Sequence, residues 1–158
     1  MTHRDRSTPP IPTMVSEAMT AGAHCIGADQ VIALAASQMA EWHIRHLPVL
    51  EGGQLVGVLS ERDIALLRSV VPDQAEQMSV EEAMTAVPYC VALDAPLAEV
   101  AHHMALRKLG SAIVMDHGKI AGVFTTTDAL ELLATMLADG VPESIKKRRS
   151  KPLPTGAP

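Results

Sequence analysis

Apolar residues return at helical spacing in two stretches of this chain: Ile32, Ala35, Ala36 and Met39, then Leu97, Val100, Ala101 and Met104. Steps of three and four residues place them on one face of an amphipathic helix. The pattern predicts helices over roughly 30–42 and 95–107, with Asp29 and Asp94 at their N-termini and Pro96 in the first turn of the second. Two short apolar runs follow each helix. Leu47–Leu50 and Leu55–Leu59 flank Glu51-Gly52-Gly53-Gln54, and Ala112–Met115 and Ile120–Phe124 flank Asp116-His117-Gly118-Lys119, so both pairs predict hairpins. A brief strand is expected ahead of each helix, at Cys25-Ile26 or Cys90-Val91. Before it comes a helical turn, which in the second case opens on the capping-box pattern Ser79-Val-Glu-Glu82. A last helix starts at Ser60 or Thr125 and carries Leu66-Leu67 or Leu130 to Leu137.

These two series are one pattern written twice. Val15-Ser-Glu-Ala-Met-Thr-Ala21 recurs 65 residues later as Val80-Glu-Glu-Ala-Met-Thr-Ala86, and the same step links Cys25 to Cys90, Gly57 to Gly122 and Asp63 to Asp128. The chain therefore divides into an irregular, Pro-rich arm (1–12), a first repeat (13–68), a linker (69–78), a second repeat (79–138) and a basic tail (139–158) that reads as disordered. Each repeat is β-α-β-β-α with a helical lead-in, an α/β unit with a mixed sheet. Units this small cannot bury their own apolar faces, so the two are expected to pack about a pseudo-twofold axis with function at the junction.

Composition narrows the possibilities. With 47 % hydrophobic residues but only one Trp, one Tyr and one Phe, the core must be aliphatic and methionine-filled. The net charge of −5 divides into about +4 on residues 141–158 and about −9 elsewhere. The body is thus no nucleic-acid surface, while the tail could touch RNA, acidic protein or anionic lipid. Cys25 and Cys90 share one repeat position, which is inheritance rather than a disulfide framework and fits a reduced, cytoplasmic setting. No apolar run is long enough to span a bilayer, and the first residues lack the apolar stretch of a secretion signal. The seven His show no metal-ligand spacing. No nucleophile elbow, Walker loop or HExxH is present, so no catalysis is expected.

Met19-Thr20, Arg45-His46-Leu47-Pro48-Val49 and Gly57-Val58-Leu59-Ser60-Glu61-Arg62-Asp63-Ile64 closely resemble the cystathionine-β-synthase (CBS) domain motif. Met84-Thr85, Gly110-Ser111-Ala112-Ile113-Val114 and Gly122-Val123-Phe124-Thr125-Thr126-Thr127-Asp128-Ala129 repeat it. Over residues 13–138 the chain resembles a tandem CBS pair, or Bateman module. The resemblance implies two clefts between the repeats that bind AMP, ADP or ATP, or S-adenosylmethionine. It also implies a disc-like homodimer and a regulatory role toward an unknown partner protein.

The chemistry of the motif suits such ligands. A Ser or Thr at a strand–helix junction caps the helix, whose first N–H groups also receive phosphate. The Asp three residues on lies one turn away on the same face. By the resemblance, Asp63 and Asp128 clamp a ribose while Ser60 and Thr125 face ribose or phosphate; the same spacing also serves as a plain cap. Gly57 and Gly122 permit close backbone approach, by a ligand or by packing. The resemblance places adenine along His24, Cys25 and Ile26 and along Tyr89, Cys90 and Val91, with cysteine where family members often have threonine. Arg45, His46 and Arg62 have Gly110, Ser111 and Thr127 as their counterparts in the other repeat, so one cleft is expected to hold a more charged phosphate group; because each site draws on both repeats, Arg45 is left unassigned between the clefts. Lys108, in place of His43, could reach an anion too. The expected function is a stand-alone module that senses adenosine nucleotides. The alternative is a ligand-free scaffold acting through the disc and the basic tail. Leu66-Leu67 and Leu132-Leu133-Met136-Leu137 are candidate dimer surfaces.

Overall fold

The computed structural model describes residues 10–140. Two four-stranded mixed sheets and four helices run in the order β1 (Thr20–Ala21), β2 (Ile26–Gly27), α1 (Ile32–Trp42), β3 (His46–Glu51), β4 (Gln54–Ser60), α2 (Glu61–Val70), β5 (Thr85–Ala86), β6 (Cys90–Ala92), α3 (Leu97–Arg107), β7 (Ser111–Asp116), β8 (Lys119–Thr125) and α4 (Thr126–Gly140). The hairpins form where expected. Gly52 and Gly53 at one turn, and His117 and Gly118 at the other, all take positive φ, which matches the twist of a tight two-residue connection. The register repeats at the 65-residue step: His46 opposes Ser60 in one sheet as Ser111 opposes Thr125 in the other.

The sheets are not each made from one repeat. Their strand orders are β2-β3-β4-β5 and β1-β8-β7-β6, so the lead-in strands change places. Thr20 pairs with Val123, and Thr85 pairs with Val58. The helical turns ahead of them cross as well. Val15, fully buried, belongs to the core built on α3, β7 and Phe124, while the equally buried Val80 belongs to the core built on α1, β3 and β4. Backbone bonds seal the exchange. Val15 N–H donates to Ala95 O (2.9 Å) and Leu97 N–H to Thr13 O (2.8 Å); Val80 N–H donates to Gln30 O (2.8 Å) and Ile32 N–H to Met78 O (2.9 Å).

This crossing shifts the expected helix starts. The first core helix begins at Ile32 with Val31 at its N-cap, and the second at Leu97 with Pro96 there, so Asp29 and Asp94 cap neither. Residues 28–31 are held by the incoming lead-in instead, with Glu81 N–H on Ala28 O and an isolated bridge between Val31 and Ser79. The strand expected at Cys25-Ile26 forms one residue later, where Ile26 pairs in parallel with Val49. Within the stretch read as a linker, Ala75–Gln77 forms a 3-10 turn with Ala75 fully buried. The expectations for residues 1–9 and for the basic tail beyond residue 140 lie outside the described residues.

A measurement of local stability separates the crossed arrangement from two self-contained repeats. Val15→Ala should cost about 2 kcal/mol by cavity formation. Its effect on amide exchange should appear first in β7 and β8, far along the sequence, rather than in β3 and β4. Faster exchange confined to β3 and β4 would contradict the exchange of lead-ins.

Candidate functional site

The strand–helix junctions after β4 and β8 share one geometry. Asp63 Oδ2 accepts from Ser60 N–H (2.8 Å) and from its hydroxyl (2.6 Å), while Asp63 N–H donates to Ser60 Oγ at 3.1 Å. Asp128 and Thr125 repeat this with distances of 2.7, 2.7 and 3.2 Å. The capping reading is therefore realised at both sites. It uses one carboxylate oxygen and leaves the other. Asp128 Oδ1 accepts from Thr20 Oγ1 at 3.3 Å, whereas among the described residues no group donates to Asp63 Oδ1. A carboxylate with a spare oxygen, fixed on a helix cap, can accept hydrogen bonds from a vicinal diol at no further conformational cost.

Asp63 opens on a cleft of about 1200 Å³ that draws on both repeats. Ser60, Arg62 and Asp63 come from the first repeat, and Thr85, Tyr89 and Cys90 come from the second. The exchange of lead-ins explains the combination, because β5 is laid along β4 and carries the following loop to the head of α2. Arg45 and His46 line this same cleft, together with Arg107 and Lys108. Arg45 leans toward Glu61 at 3.7 Å, both side chains being largely exposed.

Several carried-over residues lie elsewhere. Ile26 is buried in the first core and Val91 packs against the second, because parallel pairing with β3 and β7 turns both side chains inward. Gly57 and Gly122 are filled from another direction. A Cβ on Gly57 would stand 2.9 Å from Thr85 O, and one on Gly122 would collide with Thr20 O, so the lead-in strand itself makes the close approach. Cys25 is half-buried and Cys90 exposed. Each thiol lies near a carbonyl two residues back, and partial burial raises both above the ordinary thiol range, away from thiolate chemistry. His24 stacks on Trp42 with ring centroids 3.9 Å apart, and Tyr89 stacks on His103 at 4.4 Å.

Sequence reasoning passed over Thr20, Thr85 and Arg107 as site residues. The two threonines were visible as repeat positions, but only the crossing of lead-ins shows that each faces the other repeat's aspartate. Among the described residues no three His, Cys, Asp or Glu side chains gather as a metal would need. Among them, too, no helix is long and apolar enough to cross a membrane.

His46 stands at the seam. Its ring lies against Gly110, where a Cβ would come within 2.6 Å of Nε2. Burial pushes its pKa below the ordinary histidine value, and Arg45 adds to this; Asp63, Asp128 and Glu61 pull the other way. The neutral ring is thus the form the fold accepts. Between the lowered folded value and the unfolded value of about 6.5, the unfolded chain binds more protons. This contribution to stability is present above that window and is lost as pH falls through it. Urea melts at pH 7.5 and 5.5 should show a smaller loss of stability for His46→Gln than for the parent chain; an equal loss would remove His46 from the account.

Comparison with known proteins agrees with this geometry. The CBS domain family matches residues 15–69 and 80–135. An uncharacterized Bacillus subtilis protein, YlbB, is 32% identical over 119 residues, covering 73% of this chain and 79% of that protein. The CBS-domain protein ATU1752 of Agrobacterium tumefaciens superposes with a TM-score of 0.73 at 20% identity, over 82% of this chain and 99% of that one. The CBS domain pair of protein MJ0100, solved with 5′-methylthioadenosine and S-adenosyl-L-methionine, superposes with a TM-score of 0.70 at 25% identity, over 80% of this chain and 99% of that one. With both halves matched and the tandem fold reproduced, the chain belongs to the CBS-domain family and forms a CBS pair, or Bateman module.

Proposed function

We propose that this chain is a regulatory module that binds adenosine nucleotides in the clefts between its repeats. The observation that carries the reading is the pair of capped aspartates, of which Asp63 opens on a cleft lined by the other repeat's Thr85, Tyr89 and Cys90. The carboxylate suits ribose hydroxyls, the half-buried Tyr89 offers a flat apolar surface to a base, and Ser60 and the first turn of α2 offer donors to phosphate. The adenosine-bearing ligands of the MJ0100 pair support the same chemistry here. AMP, ADP, ATP and S-adenosylmethionine are the ligands to test. No catalysis is assigned: among the described residues no general base is placed beside a nucleophile.

Regulation then follows from differential affinity for two arrangements of repeats or protomers. A homodimer supplies the second protomer in this reading. Leu66 and Val70 on α2 and Leu130, Leu133, Met136 and Leu137 on α4 are apolar and exposed, whereas Leu67 and Leu132, also candidates for that surface, pack against the two cores. The protein is expected to act in the cytoplasm on a partner protein.

Isothermal titration with the four ligands tests the binding. Asp63→Ala and Asp128→Ala should each weaken their own site by about 2 kcal/mol, roughly thirtyfold. The double variant should give no heat. Unchanged binding in the double variant would remove the aspartates from the site. Light scattering coupled to size exclusion should report a dimer that Leu66→Glu with Leu133→Glu converts to monomer.

A further inference from the structure

Resting on the adenosine reading above, we infer that Val87 determines specificity at the Asp63 cleft: it is an apolar lip, held in strained backbone, that the face of a bound base covers. Val87 directly follows β5 and takes a φ of 56°. This is the left-handed region, where a β-branched residue is an outlier because its Cβ crowds the backbone. Pro88 comes next, and proline steers the residue before it toward extended backbone at negative φ. Two steric preferences are therefore overridden at one residue.

The first repeat shows what the same corner asks for when nothing else is required of it. The matching position is Gly22, with a φ of 70°. A Cβ there would meet nothing within 4 Å, so glycine serves the backbone and not a lack of room. Valine at the second corner gains nothing within the fold in exchange. Its side chain is 89% exposed and belongs to neither apolar core. Strain that the surrounding structure does not offset points to a function at the residue that carries it. The position of Val87 indicates which function. It lines the Asp63 cleft two residues before Tyr89, which lines it too and stacks on His103. The cleft thus combines an apolar stretch, Val87-Pro88-Tyr89, with the polar groups Ser60, Arg62 and Asp63. A flat base joined to a polar sugar and a phosphate divides in the same way. Valine suits a lip because its branched side chain is stiff about χ1 and loses little freedom when covered.

Calorimetry with AMP and with ribose 5-phosphate, which share sugar and phosphate, isolates the base. Val87→Gly and Val87→Asn both accept left-handed backbone and should raise the Tm of the free protein by about 2–4 °C. Both should weaken AMP about tenfold and leave ribose 5-phosphate unchanged. Undiminished AMP affinity in the two variants would overturn the proposal. Equal weakening of the two ligands would overturn it as well, since Val87 would then shape the cleft as a whole. Weakening in the glycine variant alone would trace the effect to a loosened loop and not to an apolar contact. A lower Tm in both variants would remove the strain, and the lip with it. In all four cases AMP binding by the parent chain leaves the adenosine reading standing. A parent chain silent toward AMP and the other adenosine compounds would overturn both.

Discussion

The arrangement of this molecule depends on a crossing of two lead-in segments. Val15, from the first repeat, completes the apolar core of the second, and Val80 does the reverse. Each lead-in is held by backbone hydrogen bonds at the head of the opposite core helix and then adds an edge strand to the opposite sheet. Burying a valine side chain contributes roughly 1.5–3 kcal/mol, and the accompanying bonds are satisfied rather than left facing an apolar interior. Two units of about 60 residues, each marginal alone, thereby share one cooperative structure.

The same crossing assembles the cleft at Asp63. Asp63 stands in the first turn of α2, just past β4, and only because β5 lies along β4 do Thr85 and the segment through Cys90 arrive beside it. Gly57 and Gly122 then acquire a plain explanation. They make room for a neighbouring backbone, and the pocket is shaped as a result of that approach rather than by a ligand pressing on the glycines. The aspartate is likewise both a cap and a site. One oxygen closes the helix terminus, which immobilises the carboxylate, and immobilisation is what a binding group needs.

Much of this was legible in the residues. The 65-residue step located both hairpins, both core helices and both Ser/Thr-x-x-Asp junctions, since hydrophobic period and capping chemistry act locally. The crossing was not legible, because a repeat shows which segments are alike and not which copy each will join. That ignorance explains the late helix starts, where Gln30 and Val31 bond to the incoming lead-in at Ser79 and Val80. It also explains why Arg45 could not be assigned to a cleft. Ile26 and Val91 misled for another reason: strands of two or three residues are too short for alternation to reveal which side faces inward. His43 and Lys108, in left-handed backbone where glycine is commoner, left no mark in the pattern at all.

Lead-ins that plug the opposite repeat give each half a peg and a socket of the same design. Two copies of one half would then be complementary to each other, so the tandem chain behaves as an isologous dimer whose subunits have been joined. Joining them replaces an encounter between molecules with one inside a molecule, at an effective concentration set by the short connection. It also releases the halves from identity. Once a single gene encodes both, equivalent positions can diverge, as Arg107 and Trp42 have done.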